Sequence, residues 1–293
     1  MKRFELLEPK TVEEACQLLS KYGEQAKVLA GGIALVKLMK KRLIHPSYLV
    51  NIKEIRELHF IREDEEGLKI GALTTLNEVE TSPLVQQRFR AVAEMVHMIG
   101  SMQIRNVGTL TGNICFGDIA SDPAPLLIAL GAKVRIASVE GERVLPLEGF
   151  FTDFYETILG RDDILEEIQI PSLPRNSGVI YLKHMMRVAF DLAIVGIAVV
   201  LRLNPKDDFC LDSSIVLGGV AATPFRVKKV ENLLKGKVID DALIMEAAMA
   251  ASQGVDPIHD IRASAEYRKE MIEVYVRRAI QKALERAKGG QVL

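Results

Sequence analysis

The sequence predicts an α+β fold in two parts, on three observations. Up to Pro171, short apolar strands and amphipathic helices mix without the regular alternation of a parallel doubly wound sheet. The segment Pro171-Ser172-Leu173-Pro174-Arg175-Asn176-Ser177-Gly178 is the best linker candidate in the chain. Beyond it three long apolar runs, Val179–Met185, Leu192–Leu203 and Ser213–Val220, give way to helical periodicity alone. A chain of 293 residues suffices for one large domain or two ordinary ones, and 48% hydrophobic residues supply a well-buried core. The net charge of −1 argues against non-specific nucleic-acid binding. The longest apolar stretch, Leu192–Leu201, is too short to span a bilayer, and the start MKRFELLEPK lacks the apolar centre of a secretory signal. Cys16, Cys115 and Cys210 are odd in number, far apart and without a C-x-x-C spacing. A disulfide framework and a cysteine-ligated metal are therefore not expected, and a reducing cytoplasm is the simplest setting.

Taken in order, Met1–Pro9 reads as a short strand and turn. Thr11-Val12-Glu13-Glu14 has the form of a capping box for a helix with Ala15, Leu18 and Leu19 on its apolar face, stopping at Gly23. Lys27–Ala30 is a short strand, Ala34–Lys40 a helix, and Tyr48–Ile52 and Leu68–Leu73 are strands. Ser82-Pro83 supplies a cap and a first-turn proline for a helix that runs to Gly100 through Leu84, Val85, Val92, Met95, Val96 and Ile99. Ser121-Asp122-Pro123 repeats that signal for a short helix to Leu130, with Asp122 as a candidate N-cap. Lys133–Ser138 and Arg143–Leu147 pair through the turn at Glu140-Gly141, and Ile164–Ile170 is a strand closed by Pro171. The three later runs suit an antiparallel meander with a turn at Asn204–Asp208. Helices over Val227–Leu234, Ala242–Ser252 and Ala265–Ala287 cover one face of that sheet.

Chemistry concentrates in Gln103–Asp122. Val107-Gly108-Thr109-Leu110-Thr111-Gly112-Asn113 alternates small and hydroxyl-bearing residues around two glycines, so that backbone N–H groups can approach a phosphate. Leu29-Ala30-Gly31-Gly32-Ile33-Ala34 is a second such loop, between a strand and a helix. Two glycine loops suit the two phosphates of a dinucleotide. Neither is a Walker A or a G-x-G-x-x-G motif, and Ala30-Gly31-Gly32 taken alone reads first as a tight strand-to-helix turn. Arg105 either balances phosphate charge or pairs with a carboxylate; Lys183 and Asp191 read as strand-edge and turn residues. Five scattered histidines lack metal-ligand spacing, and His184, in an apolar strand, reads as structural.

The segments LAGG at 29–32, IGAL at 70–73, QIRNVGTLTGN at 103–113, SDPAPLLIALGA at 121–132, LGGVAATPFRVKKVENLLKGK at 217–237 and SAEYRKEMIEVYVRRAI at 264–280 occur in that order. Together they resemble the FAD-binding medium subunit of the xanthine dehydrogenase and carbon monoxide dehydrogenase family of molybdenum hydroxylases, over nearly the whole chain. The resemblance implies a two-lobed FAD-binding fold of the vanillyl-alcohol oxidase (PCMH) type over residues 1–172, with lobes of about 1–57 and 58–172. Residues 173–293 would form the flavoprotein C-terminal domain, a three-stranded antiparallel sheet with helices. Ala30, Gly31, Gly32, Ile33, Ala34 and Leu35 would hold the FAD pyrophosphate together with Thr109, Leu110, Thr111, Gly112 and Asn113. Asp122, Leu165 and Lys183 would contact the cofactor, and Asp191-Leu192-Ala193 would lie near the isoalloxazine.

The implied function is electron transfer, with no general acid or base and no metal on this chain. Partners would be a molybdopterin-containing large subunit and a [2Fe-2S] small subunit, with NAD or another acceptor receiving the electrons and neither nucleic acid nor membrane involved. Ile33-Ala34 stands where the family carries polar residues, so the first loop offers backbone amides only; Thr111 replaces a glycine. These exchanges motivate a rival, an FAD-free scaffold subunit of the same complex. A stand-alone FAD oxidoreductase is a third possibility. The first loop contains no histidine, so the FAD would be non-covalent.

Overall fold

The computed structural model describes residues 1–187 and 191–289. It begins with a three-stranded parallel sheet of β1 (Glu5–Leu7), β2 (Ala26–Leu29) and β3 (Tyr48–Asn51), in the order β1-β3-β2. Helix α1 (Val12–Tyr22) joins β1 to β2, and α2 (Ile33–Lys40) joins β2 to β3. Thr11 caps α1 by accepting from Glu14 N at 3.1 Å. The expected capping box is not closed, because Glu14 Oε2 accepts from Lys10 N instead.

A five-stranded antiparallel sheet follows, built from β4 (Ile61–Glu63), β5 (Gly67–Gly71), β6 (Lys133–Ser138) and β7 (Gly141–Pro146). The small hairpin of β8 (Phe151–Asp153) and β9 (Glu156–Thr157) stands apart, and β10 (Ile164–Pro171) returns to the centre of the sheet, giving the order β4-β5-β10-β6-β7. Between β5 and β6 run α3 (Leu76–Thr81), α4 (Pro83–Arg88), α5 (Arg90–His97), α6 (Met102–Arg105), α7 (Leu110–Phe116) and α8 (Pro123–Ala129). A single helix from Ser82 to Gly100 is thus corrected to two, since Phe89 leaves helical geometry at φ −134. The reciprocal capping box of this region belongs to Thr75 and Glu78, at the start of α3.

A second antiparallel sheet holds β11 (Ser177–His184), β12 (Val195–Leu203), β13 (Cys210–Gly218) and a two-residue edge, β14 (Phe225–Arg226). Gly178, read as linker, lies inside β11; a Cβ there would meet Ala283 O at 1.8 Å, so the residue lets α11 (Ala265–Lys288) cross the strand closely. With α9 (Lys228–Leu234) and α10 (Asp241–Gln253), α11 covers one face, as predicted. The opposite face is also covered, by α8 and α5 of the preceding part. Side-chain alternation divides the strands: Val179, Tyr181, Ala198, Val200 and Val216 join the core around α5 and α8. Ile180, Ile197, Val199, Leu201, Ile215 and Leu217 join the core around α10 and α11. Burial on both faces explains why these strands read as continuous apolar runs. Among the described residues no helix is long and apolar enough to cross a membrane.

Candidate functional site

The first glycine loop leaves β2 and enters α2 at Gly32, whose left-handed backbone (φ 77, ψ 2) makes the turn. Gly32 has no side chain to cap the helix, so the N–H groups of Ile33, Ala34 and Leu35 have no intrahelical partner. The helix dipole adds partial positive charge there. Only Met39 of α2 is fully buried, although Leu35, Val36 and Leu38 are apolar. An open cleft of about 550 Å³ follows the helix, lined by Gly31, Gly32, Ile33, Val36, Lys37, Lys40 and Lys41.

The second loop abuts the first. A Cβ on Gly31 would lie 2.2 Å from Val107 O, and one on Gly108 would lie 3.4 Å from Ile33 Cγ1. Gly108 O accepts from Leu76 N at 2.8 Å, which ties the loop to the start of α3. From Leu110 onward the predicted loop is helix α7. Thr109 makes this possible by accepting from Gly112 N at 2.9 Å, offsetting the helix cost of a glycine in the first turn. Thr111 points inward, 3% exposed, while Gly112 is open to solvent. The Thr111 hydroxyl is buried without a hydrogen-bond partner. Asn113 Oδ1 accepts from Ser121 Oγ at 2.7 Å, linking α7 to the residue before Asp122.

Asp122 does not cap α8 through its side chain; Ser121 Oγ reaches Ala124 N at 3.4 Å instead. The Asp122 carboxylate turns to β11, where Oδ2 accepts from Lys183 Nζ at 2.8 Å and Oδ1 accepts from the Tyr181 hydroxyl at 2.7 Å. Burial pushes the Asp122 carboxyl up, against the Lys183 ammonium and Tyr181 hydroxyl that pull it down. Burial, with the neighbouring Asp122 charge, pushes the Tyr181 phenol well up. Tyr181 carries no sequence signal of its own, although it shares the face of β11 with Lys183. Lys183 also donates to Met98 O at 3.2 Å.

Leu165 lies in β10 opposite Ile136, buried in the larger core, and α7 packs on the same strand. The strand bulges between Leu165 and Glu167. Asp191 holds Arg187 Nε at 3.3 Å, with Leu192 exposed and Ala193 buried behind it; residues 188–190 lie outside the described residues. Arg105 is not free to meet an anion: it is buried, with Nε on Glu80 Oε2 at 2.6 Å and Nη1 on the carbonyls of Ile99 and Gly100. Thus the structure brings the two glycine loops together and separately joins Asp122 to Lys183. Among the described residues no His, Cys, Asp and Glu cluster has the form of a metal site. The three thiols are free, with burial pushing Cys16 and Cys210 up to about 11 and Cys115 to about 12.

Two family models match the chain: "FAD binding domain in molybdopterin dehydrogenase" over residues 2–173, and "CO dehydrogenase flavoprotein C-terminal domain" over residues 180–283. The carbon monoxide dehydrogenase medium chain of Hydrogenophaga pseudoflava is 36% identical over 284 residues, 97% of this chain and 98% of the relative. A putative xanthine dehydrogenase FAD-binding subunit of Escherichia coli is 31% identical over 281 residues, 95% of each chain. A solved structure of the Hydrogenophaga pseudoflava carbon monoxide dehydrogenase, in a form lacking the Mo-pyranopterin moiety, superposes with a TM-score of 0.93. The match is 36% identical and covers 97% of this chain and 98% of that one.

Proposed function

This chain belongs to the FAD-binding subunits of the molybdopterin dehydrogenases, and from that premise we propose that it is the electron-transfer subunit of a molybdenum hydroxylase complex. In this reading it receives electrons from [2Fe-2S] clusters on a small subunit, ultimately from a molybdopterin-containing large subunit. It delivers them to NAD or another acceptor. Residues 1–172, with lobes of about 1–57 and 58–172, form the FAD-binding part, and 173–293 the C-terminal domain. A cytoplasmic setting is supported by three unpaired cysteines.

One observation carries the assignment: the uncapped start of α2, with three N–H groups that have no intrahelical partner, lies against the second glycine loop. The residues present therefore fit a pyrophosphate. The amides of Ile33, Ala34 and Leu35 bind it from one side, and the second loop, which abuts them at Val107 and Gly108, closes the other. Loss of polar side chains at Ile33 and Ala34 removes no backbone donor, and the unpartnered Thr111 hydroxyl is an additional donor near the second loop. Bound FAD supplies the redox chemistry. The chain's part is to hold its phosphates, orient it with Asp122, Leu165, Lys183 and Asp191-Leu192-Ala193, and shield it from water. An FAD-free scaffold is the weaker alternative, because it leaves those amides and the buried hydroxyl with no purpose.

The test is the visible spectrum of the purified chain before and after adding FAD and dialysing. Retained flavin bands, released on denaturation, are expected. A chain that takes up no FAD alone or with its partner subunits is instead the scaffold.

A further inference from the structure

A single buried side chain holds the ends of two strands beside the turn that carries Asp122. Arg268, in the first turn of α11, is 1% exposed. Its Nη1 donates to the carbonyls of Ile194 and Gly219, the latter at 2.6 Å, and Nη2 donates to Asp260 Oδ1 at 2.7 Å. Ile194 precedes β12 and Gly219 follows β13. Gly219 sits at φ +75, and a Cβ there would lie 2.9 Å from Ile194 O, so the strand ends meet where glycine is required.

Both carbonyl residues pass the constraint on. Ile194 N donates to His184 O at 2.8 Å, which closes the base of the hairpin containing Asp191–Ala193. Gly219 N donates to Ile119 O at 2.9 Å, in the turn that delivers Asp122. Asp122 returns to β11 through Lys183, the neighbour of His184. The result is a closed ring running through Arg268, Ile194, His184, Lys183, Asp122, Ile119 and Gly219. Helix α11 grips the same strand end a second time, since the Tyr267 and Tyr275 hydroxyls flank His184 Nε2 and Nδ1 at 2.9 and 3.1 Å. Burying a guanidinium against one carboxylate is costly for stability alone, and α11 fills neighbouring core positions with Ile272 and Val276.

We propose that Arg268 is a positioning residue for the flavin. By fixing the Ile194 and Gly219 carbonyls, it holds Asp191–Ala193 and Asp122 in one arrangement toward the cofactor. This rests on the FAD assignment above. The planar guanidinium serves two carbonyls and a carboxylate at once, which a lysine ammonium does only in part.

The experiment compares wild type, Arg268→Gln, Arg268→Lys and Val276→Ala, the last a core truncation on the same helix. Amide hydrogen exchange is read on the apo chain, and FAD affinity and flavin visible circular dichroism on the loaded chain. Arg268→Gln is expected to lose protection at Ile194 and Gly219, to bind FAD roughly three- to thirtyfold more weakly, and to alter the flavin dichroism. Arg268→Lys recovers part of each; Val276→Ala lowers the melting temperature and leaves the flavin signals unchanged. If wild type binds FAD and Arg268→Gln keeps its affinity and dichroism, the positioning role is wrong. Unchanged exchange at Ile194 and Gly219 also overturns it. Wild type that binds no FAD overturns the FAD assignment and this role with it.

Discussion

Lys183 Nζ and Asp122 Oδ2 lie 2.8 Å apart, with side chains only 1% and 6% exposed, and they join residues 61 positions apart in the sequence. The ammonium expected beside a flavin is therefore already matched by a carboxylate. Removing one partner strands the other in a low-dielectric interior. Lys183→Met should destabilise the chain by about 3–5 kcal/mol, and the double variant with Asp122→Asn should recover part of that loss. Urea denaturation of the four proteins in this cycle measures it.

Gly31 and Gly149 make a matched pair for the loop contact. A Cβ at Gly31 would sit 2.2 Å from Val107 O, whereas Gly149, at φ +88, has nothing within 4 Å of its would-be Cβ. Gly31→Ala should force the glycine loops apart, costing about 1–3 kcal/mol and the retention of FAD. Gly149→Ala should cost about 1–2 kcal/mol of backbone strain and leave FAD binding intact. Thermal melts and flavin retention after gel filtration separate the two.

FAD that binds only the folded chain must stabilise it by mass action. At a free concentration one hundred times the dissociation constant the gain is about 2.7 kcal/mol. The melting temperature should rise with added FAD in wild type and stay fixed in Gly31→Ala.

His184 gives the chain a pH-dependent stability. Burial, aided by the Arg278 charge, lowers its pKa below the ordinary 6.5. The unfolded chain therefore takes up a proton at a higher pH than the folded one. The contribution of neutral His184 is complete above about pH 6.5 and is lost as pH falls from there toward the folded-state value. His184→Phe should flatten that part of a stability-against-pH curve measured by urea denaturation.

The elements carried by local signals were legible in the sequence. Pro83 and Pro123 mark helix starts, Gly23 ends α1, and the three long apolar runs became β11, β12 and β13. Where a local signal competes with a longer-range contact, the contact decides the structure. Gly112 suggested a loop, but the Thr109 cap carries a helix through it. Gly178 read as linker because nothing in its neighbours reveals that Ala283 crosses above it. At the site, both glycine loops were visible as composition, whereas their abutment through Gly31 and Val107 is a tertiary fact. Beside the second loop Arg105 reads as available to an anion, but Glu80, 25 residues earlier, occupies it. Tyr181 offers only the hint of a hydroxyl amid an apolar run, and Arg268 stands in the charged stretch Tyr267-Arg268-Lys269-Glu270, where nothing local separates a buried guanidinium from a solvated one.

The sheet of β11 to β14 belongs to two interiors at once, with alternate side chains committed to α8 on one face and α11 on the other. Such a sheet cannot be lent to another protein as a detachable module. A protease cutting between Pro171 and Ser177 should yield two fragments that co-migrate until denatured. A gene truncated there should give an insoluble product, because the first part would be left with an uncovered apolar wall. The two parts are thus expected to fold, and to be degraded, as one unit.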